Sequence, residues 1–270
     1  MLSFLFWNVN RKPLQAIIAN LVLQHKVDVL MLAECSIAPA VLLRALNQSG
    51  ESKYHYAPSI CKKVQLFTSF DDKLIRPIFE ADRLTIRRLS LQGRMDILLA
   101  VTHFHSKLRW SDGSQAFECV ELANSIRIVE KQVGHARTVL VGDLNMNPFE
   151  DGVVSTIGLN AVMSRLIAGR KARVVQAKEW PFFYNPMWSL LGDASPGPPG
   201  TYYYSGSEHK TYFWNMFDQV LIRPDVLDLF SNQDLRIVEN DGNISFLSAT
   251  GLPDVKIVSD HLPIFFTLKL

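Results

Sequence analysis

The sequence of 270 residues is poor in cysteine, in long apolar runs and in excess charge. Its three cysteines, Cys35, Cys61 and Cys119, are odd in number and unclustered, which argues against a disulfide framework or a zinc site and favours a reducing compartment. No apolar run reaches the roughly 20 residues of a transmembrane helix. The net charge of +2 is compatible with an anionic substrate but is far below that of strongly basic nucleic-acid-binding proteins.

The sequence also gives no sign of a signal peptide. The apolar run at residues 2–7 has no basic segment before it, and polar residues follow it immediately. We therefore expect a strand there, a cytoplasmic protein and no membrane segment. Hydrophobic residues make up 48% of the chain and charged residues 20%, as in soluble globular proteins. No repeat or domain boundary is visible, so we predict one domain over residues 1–270.

Residues 138–148 form the most informative stretch. The apolar run from 139 to 141 predicts a buried strand, because it is too short and too rich in β-branched residues for a helix. A buried carboxylate such as Asp143 needs a partner, and Asn145, two residues on, is expected to face the same side. Asn147 and Pro148 then break the strand. The pair is suited to hold a water, a metal or a phosphate, and an ordinary turn with a capping Asp is the alternative.

Two further predicted strands end in a polar residue. Residues 2–7 are followed by Asn8, and residues 27–33 are followed by Glu34. A helix is predicted after each strand, with Asn10 as the cap of the first helix. If the two strands are neighbours, Asn8 and Glu34 lie at the same edge of a sheet.

The middle of the chain has a different pattern of apolar and turn-forming residues. Short apolar runs separated by turn residues predict an antiparallel meander over residues 54–105, which brings His103 and His105 to a strand end. Residues 114–134 repeat apolar positions at helical spacing and predict a long amphipathic helix. The strand at residues 138–148 follows.

Residues 159–214 are rich in aromatic side chains and contain a Pro/Gly run at 192–200 that is incompatible with regular structure. We predict an aromatic-rich insertion within the domain, because linkers are seldom so aromatic. A strand is predicted to resume at residues 217–222, with Asp218 inside it.

The last two predicted strands, residues 255–258 and 262–268, are joined through Asp260 and His261. Four carboxylates, two amides and two imidazoles thus stand at predicted strand ends. They are Asn8, Glu34, His103, Asp143, Asn145, Asp218, Asp260 and His261. So many acids in one cleft would repel each other, whereas a divalent cation would offset the repulsion and activate a water for attack on phosphorus.

This ordered set resembles the endonuclease/exonuclease/phosphatase superfamily, which has the deoxyribonuclease I-like fold. The resemblance implies an α/β protein, a four-layer α/β/β/α sandwich of two packed mixed sheets with helices outside, and a site at one edge of the sandwich. The motifs that carry it span nearly the whole chain and are Trp7-Asn8, Ala33-Glu34, Thr102-His103, Gly142-Asp143-Leu144-Asn145, Phe217-Asp218-Gln219-Val220 and Ser259-Asp260-His261-Leu262-Pro263-Ile264.

The resemblance also implies a metal site and a water-activating group. Glu34 would be the main ligand of Mg²⁺ or Mn²⁺, with Asn8 and Asp260 in support. Asp143 would orient or deprotonate the attacking water. Asn145 would hold the phosphate or the reaction intermediate.

Imidazoles would contact the phosphate in the same scheme. His261 would stabilise developing charge or transfer a proton, and Asp218 would fix its tautomer. His103 would be a second phosphate-contacting group. His105 competes for that role, but the Thr-His motif favours His103 and leaves His105 as a surface or supporting residue.

Basic residues near these motifs are further candidates for contact with phosphate. Arg83 is a candidate phosphate-binding residue, with Arg87 and Arg88 as neighbouring alternatives. Lys107 and Arg109 follow the His103 strand, and we interpret them as part of a solvated loop that is able to touch a phosphate backbone.

The superfamily cleaves DNA, RNA, phosphoinositides and sphingomyelin with one chemistry, and the loops set the substrate. The missing export signal disfavours a membrane-directed sphingomyelinase, so a cytoplasmic nuclease with a DNA or RNA substrate is the first prediction. A phosphomonoesterase or a lipid or small-molecule phosphodiesterase is the alternative, and a non-catalytic binding module is the third. The aromatics of the insertion would stack bases, form a lid or simply pack the insertion onto the body.

Overall fold

A computed structural model of the protein describes residues 1–50, 53–107, 110–207 and 209–270. Short 3₁₀ segments lie at Asp72–Leu74, Pro186–Leu190, Pro224–Leu229 and Asn232–Asp234. The strands and α-helices are β1 (Leu2–Asn8), α1 (Gln15–His25), β2 (Val29–Ala33), α2 (Pro39–Leu46), β3 (His55–Ala57), β4 (Val64–Thr68), β5 (Ile75–Glu80), β6 (Leu84–Leu89), β7 (Ile97–His103), α3 (Asp112–Val133), β8 (Thr138–Asp143), α4 (Asp151–Val154), β9 (Ala161–Val162), α5 (Arg165–Ala168), β10 (Ala172–Val175), β11 (Lys178–Pro181), β12 (Phe183–Tyr184), β13 (Tyr202–Tyr203), β14 (Trp214–Asn215), β15 (Asp218–Ile222), β16 (Arg236–Ile237) and β17 (Ile264–Leu268).

The first sheet has six strands in the order β16-β17-β1-β2-β4-β3. Its centre is β1, which pairs in parallel with β2 and antiparallel with β17. Asn8 lies level with Ala33 in the parallel pair, so Asn8 and Glu34 emerge at the same edge of the sheet. The expectation that these two side chains share an edge is confirmed.

The second sheet has seven strands in the order β5-β6-β7-β8-β15-β12-β9. His103 of β7 pairs with Asp143 of β8, and Asp143 pairs in turn with Asp218 of β15. Three candidate site residues therefore form a single row across three adjacent strands.

The two sheets pack face to face, and helices cover their outer faces, as the predicted four-layer sandwich requires. Strand β8 shows the layering clearly, because successive side chains point to opposite faces. Val139 and Val141 belong to the large core between the layers, whereas Leu140 packs with Cys119 and Ile126 of α3 in a second core. All are buried, and each such apolar side chain stabilises the fold by about 1.5–3 kcal/mol relative to exposure.

Three local predictions were wrong. The predicted meander is divided between the sheets, since β3 and β4 join the first sheet and only β5, β6 and β7 form a meander in the second. Residues 255–258 form turns, because the backbone carbonyl of Asp254 accepts hydrogen bonds from the N–H groups of Ile257 and Val258 and its carboxylate accepts one from Lys256. Asn10 does not cap α1, which begins at Gln15 without a side-chain cap.

The predicted insertion at residues 159–214 is partly built into the second sheet. Strands β9 and β12 extend that sheet beyond β15, with Phe183 paired to Ala161 and Tyr184 paired to Ile222. The insertion also forms the β10–β11 hairpin, and its strand β13 pairs with β14, which begins at the last residue of the insertion. Phe183 and Tyr184 are buried, while Tyr204 is exposed, so only some of the aromatics pack onto the body. No helix among the described residues is long and apolar enough to cross a membrane.

Candidate active site

Polar side chains from both sheets converge on one carboxylate oxygen, Oδ2 of Asp143. The amide Nδ2 of Asn8 donates a 2.9 Å hydrogen bond to it. Nε2 of His103 lies 3.7 Å away and Nε2 of His261 lies 3.9 Å away, both beyond hydrogen-bonding range. Asp143 is 1% exposed. This oxygen of the buried carboxylate is thus held by one direct hydrogen bond and faced by two imidazoles.

The backbone around Asp143 explains the Gly-Asp-Leu-Asn pattern. A Cβ on Gly142 would lie 2.0 Å from the carbonyl oxygen of Thr102, so the close approach of β7 requires glycine there. The strand ends at Asp143, and Asn145 has a left-handed backbone with φ 49°. Asn145 therefore does not alternate with Asp143 along an extended chain as predicted, but its N–H donates a 2.8 Å hydrogen bond to Oδ1 of Asp143. Its side-chain amide donates to the carbonyl of Phe104.

His261 and Asp218 form a buried hydrogen-bonded pair, with 2.8 Å between Nδ1 and Oδ2. Burial opposes the charge on His261, but the carboxylates of Asp218, Asp143 and Asp260 outweigh it and raise the pKa of His261 to about 10. Burial also raises the pKa of Asp218, although the imidazolium counteracts this effect. We place the proton on His261, since three carboxylates act on it, and the pair is then an imidazolium and a carboxylate at neutral pH.

Two residues of the insertion that sequence reasoning missed support this pair. Thr201, fully buried, accepts a hydrogen bond at Oγ1 from the backbone N–H of Asp218, and its carbonyl accepts one from Leu262. The ring of Tyr202 lies 4.6 Å from the imidazole of His261, centroid to centroid. The only sequence signal is the Thr-Tyr-Tyr-Tyr run that follows the Pro/Gly segment.

The loop that carries Asp260 and His261 is fastened to β1. The indole N–H of Trp7 donates a 2.8 Å hydrogen bond to the carbonyl of His261. The hydroxyl of Ser259 donates to the carbonyl of Asn8 and accepts from the N–H of His261. Asp260, half-buried, is the residue between these two anchors. The Ser-Asp-His motif thus places Asp260 and His261 beside the end of β1.

Glu34 lies at the mouth of the site with a side chain that is 27% exposed. Its carboxylate oxygens are each 3.4 Å from a nitrogen, Nε2 of His103 and Nε of Arg11. The hydrogen bond from His103 outweighs burial and lowers the pKa of Glu34 to about 2. Its backbone is also left-handed, with φ 47°, which turns the residue out of the strand direction at the end of β2.

Oxygen donors suited to a divalent cation are present at this edge. Glu34 is ionised and partly open to solvent, and Asn8 and Asp260 add an amide and a carboxylate oxygen, the ligand types that Mg²⁺ and Mn²⁺ prefer. Asp143, Asp218 and His261 also bring ligating atoms within 4.8 Å of one another. That second group suits a metal less well, because Asp218 and His261 already bond to each other. The first set fits the predicted metal, and its role stays a prediction.

Of the three arginines considered, Arg83 lies beside the site. Its Nη1 donates a 3.0 Å hydrogen bond to the carbonyl of His103, just ahead of β6. Arg87 is buried in an ion pair with Glu80, and Arg88 pairs with Asp96. Arg87 and Arg88, the two alternatives to Arg83, are therefore engaged in ion pairs elsewhere in the fold.

His105 is held away from Asp143 and its neighbours. Its Nδ1 lies 3.0 Å from a carboxylate oxygen of Glu118, and its ring stacks on Trp110. Lys107 pairs with Glu150, and Arg109 lies outside the described residues. The structure therefore brings together eight of the nine candidate residues around Asp143 and the mouth of the site, with Arg83 behind His103.

Comparison with known proteins assigns the family. The model of the endonuclease/exonuclease/phosphatase family matches residues 5–261. The chain belongs to this family. The predicted family and the sandwich fold are both confirmed. A search of curated proteins finds no match.

Solved structures of endonuclease/exonuclease/phosphatase proteins share the fold over the whole chain. Truncated Caenorhabditis elegans TDP2 is 16% identical with a TM-score of 0.58, and the match covers 99% of this chain and 97% of that one. D. rerio TDP2 complexed with a single-strand DNA product is 13% identical with a TM-score of 0.53, over 100% and 99%. An AP endonuclease from Archaeoglobus fulgidus is 13% identical with a TM-score of 0.55, over 100% of both chains. At these identities the likeness concerns the fold.

Proposed function

We propose that the protein is a divalent-metal-dependent phosphodiester hydrolase that cleaves nucleic acid by in-line attack of a water. The observation that carries the proposal is the convergence of Asn8, His103 and His261 on Oδ2 of Asp143, with Asp218 behind His261. A buried carboxylate faced by a protonated imidazole is costly in a purely structural site. In a hydrolase the same arrangement pairs a proton acceptor with a group that stabilises negative charge.

Asp143 is the proposed acceptor of the water proton. Hydrogen bonds from Asn8 and from the N–H of Asn145 fix both of its oxygens, so the carboxylate is oriented before the substrate arrives. The water oxygen forms its bond to phosphorus as the bond to the leaving oxygen breaks. Asn145, whose side-chain amide is anchored to the carbonyl of Phe104, is the proposed holder of the phosphate next to that water.

His261 is the proposed stabiliser of the charge that develops on the phosphoryl oxygens. Its pKa of about 10 keeps Nε2 protonated at neutral pH, and Asp218 holds the ring from the other side. The role of Asp218 is therefore to orient and to stabilise the imidazolium. His103 faces the same space from β7 and is a second donor to the phosphate.

Glu34, Asn8 and Asp260 are the proposed holders of a Mg²⁺ or Mn²⁺ ion. When bound, such an ion offsets the negative charge of the carboxylates and of the phosphate. The three side chains come from the ends of β1 and β2 and from the Ser-Asp-His loop, which Ser259 ties to β1. The protein thus orients this donor set through its backbone.

Nucleic acid is the proposed substrate class. The D. rerio TDP2 structure that shares this fold holds a single-strand DNA product, and another neighbour is an AP endonuclease. In this chain, cationic side chains from three different loops border the mouth of the site near Glu34 and His103. A phosphate polymer is the ligand that several cations in this arrangement would bind best, because they can contact successive phosphates.

The test is hydrolysis of single- and double-stranded DNA, of RNA and of a small phosphodiester, with Mg²⁺, Mn²⁺ or EDTA. Asp143→Asn and His261→Gln are compared with the surface control Arg88→Ala. We expect metal-dependent cleavage of a polymer that falls by about 10² to 10⁴ in both site variants and is unchanged in the control. Cleavage of the small ester alone would favour a small-molecule phosphodiesterase, and metal-independent cleavage would refute the mechanism.

A further inference from the structure

A second binding feature adjoins the site on the side of Glu34 and His103. It is a groove of about 410 Å³, the volume of a small-ligand site. We call it the basic pocket. We define it by six residues that line it in addition to Glu34 and His103, which are Arg11, Lys62, Lys63, Arg83, His105 and Trp110. We infer that the basic pocket binds one unpaired nucleotide next to the scissile phosphate, so that the protein selects single-stranded nucleic acid. This inference rests on the proposed function.

The cations of the basic pocket come from separate loops and line one groove. Lys62 and Lys63 precede β4, and neither forms an ion pair with a described residue. Arg11, in the loop after β1, forms an exposed ion pair with Glu34 at 3.4 Å. Several cations that face one groove attract an anion, and in a phosphate polymer the nearest anion is the next backbone phosphate.

Arg83 supplies a donor that the protein itself does not use. Its Nη1 bonds to the carbonyl of His103, but its Nε is buried and has no hydrogen-bond partner among the described residues. The carboxylate of Asp82 is 4.0 Å from that nitrogen, too far for a hydrogen bond. A buried donor that lacks a hydrogen-bond partner is energetically costly. A phosphate oxygen in the basic pocket is the kind of acceptor that would remove this cost.

Part of the lining of the basic pocket is aromatic and is oriented by the protein. The rings of His105 and Trp110 stack at 4.0 Å with an interplanar angle of 6°. Glu118 fixes His105 through Nδ1 at 3.0 Å. Trp110 is half-buried and lines the groove, so its indole offers a prepared surface for a planar ligand. A nucleobase is such a ligand, because every base has a planar face that stacks on an aromatic side chain.

Cations and a fixed aromatic surface together match a nucleotide and not an isolated phosphate. A base inside a duplex is covered on both faces by its neighbours, so it cannot stack on Trp110 unless it leaves the helix. A small phosphodiester held at Asp143 has no second phosphate to reach Lys62, Lys63 or Arg83. The basic pocket therefore discriminates in favour of unpaired strands and against small esters.

The first test measures binding separately from cleavage. A labelled single-stranded deoxyoctanucleotide is titrated in EDTA against the Asp143→Asn protein with and without Trp110→Ala, Trp110→Phe or Lys62→Ala/Lys63→Ala, and Lys131→Ala, on the exposed face of α3, is the charge control. We expect Trp110→Ala to weaken binding about 5- to 100-fold and Trp110→Phe to restore most of it. The double lysine variant should lower the slope of log K against log salt by about 0.7 for each phosphate that the lysines no longer neutralise. Unchanged affinity in both variants would refute the basic pocket.

The second test uses catalysis by otherwise wild-type protein. Trp110→Ala is expected to lower kcat/KM on the single strand by a similar factor and to leave bis(p-nitrophenyl) phosphate hydrolysis within twofold of wild type. An equal loss on both substrates would indicate a general structural role and refute the inference. Retained Trp110-dependent binding with no cleavage of any polymer would overturn the proposed function but leave the basic pocket standing. Equal affinity for a matched duplex would overturn the single-strand preference.

Discussion

A substitution in the pair of His261 and Asp218 is the most direct test of the proposed roles in this site. Asp218→Asn preserves the shape of the side chain but removes the negative charge 2.8 Å from Nδ1. In the wild type, carboxylates raise the pKa of His261 to about 10 against the effect of burial. Without the nearest carboxylate, burial is expected to bring the pKa of His261 back to the ordinary imidazole range or below it.

The expected magnitude follows from these values. At pH 8 a group with a pKa of about 10 is about 99% protonated, whereas an ordinary imidazole with a pKa of about 6.5 is about 3% protonated. Loss of the imidazolium alone thus lowers kcat about 30-fold at pH 8. Loss of ring orientation adds to this effect, and a drop of about 10³ to 10⁴ is expected from comparable changes in other enzymes.

Two assays report on the variant. The pH profile of kcat is measured on a small phosphodiester, and the imidazole ¹⁵N signals of His261 are titrated by NMR. Wild-type activity should persist into the alkaline range until His261 deprotonates near pH 10, whereas the Asp218→Asn profile should fall between about pH 6 and 7. Activity within threefold of wild type, with the alkaline limb in place, would refute the assigned role of the pair.

The same pKa has a consequence for folding stability. Because the pKa of His261 is raised in the folded protein, the stabilisation is fully present below about pH 6.5, the ordinary value of an unfolded imidazole. It is lost progressively as the pH rises to about 10. Urea unfolding of the wild type should therefore show a decreasing free energy of unfolding across this range, and the decrease should be smaller in Asp218→Asn.

Three other variants test separate parts of the structure. Thr201→Val removes the acceptor for the N–H of Asp218 and should lower kcat about tenfold with little change in KM, and a shifted His261 signal by NMR would distinguish positioning from general destabilisation. Glu34→Gln should weaken Mg²⁺ or Mn²⁺ binding by calorimetry at least tenfold without unfolding the protein, and unchanged affinity would remove Glu34 from the donor set. Gly142→Ala places a Cβ 2.0 Å from the carbonyl oxygen of Thr102 and should lower the free energy of unfolding by about 3 kcal/mol, whereas an unchanged urea midpoint would mean that β7 shifts freely.

Much of the site was predictable because polar residues interrupt apolar strands at their ends. Asn8, Glu34 and Asp143 each follow or end a run of buried apolar residues. A buried strand tolerates a polar residue at its end only where hydrogen-bonding or charged partners are present. The sheet register then aligns His103, Asp143 and Asp218 in one row. The row follows from strand pairing, which the sequence indicates only through the family motifs.

The remaining features depend on contacts between distant segments. Thr201 supports Asp218 and Leu262 from within an irregular stretch, where only the Thr-Tyr-Tyr-Tyr run marks its place. The apolar residues at 255–258 predicted a strand. The carboxylate and carbonyl of Asp254 instead accept hydrogen bonds from the backbone that follows, and these bonds favour a local turn over strand pairing. Local hydrogen bonding of this kind decides short segments, while long apolar runs remain reliable guides.

The site straddles the two halves of the sandwich. Asn8 and His261 come from the first sheet and its loops, and Asp143 and Asp218 come from the second, so their contacts bridge the interior. Each sheet keeps its own hydrogen-bond ladder if the halves separate slightly, but the 2.8 and 2.9 Å contacts do not survive such a separation. The turnover rate therefore depends on how tightly the two halves pack against each other. In mild denaturant, activity should be lost before circular dichroism detects any loss of β-structure.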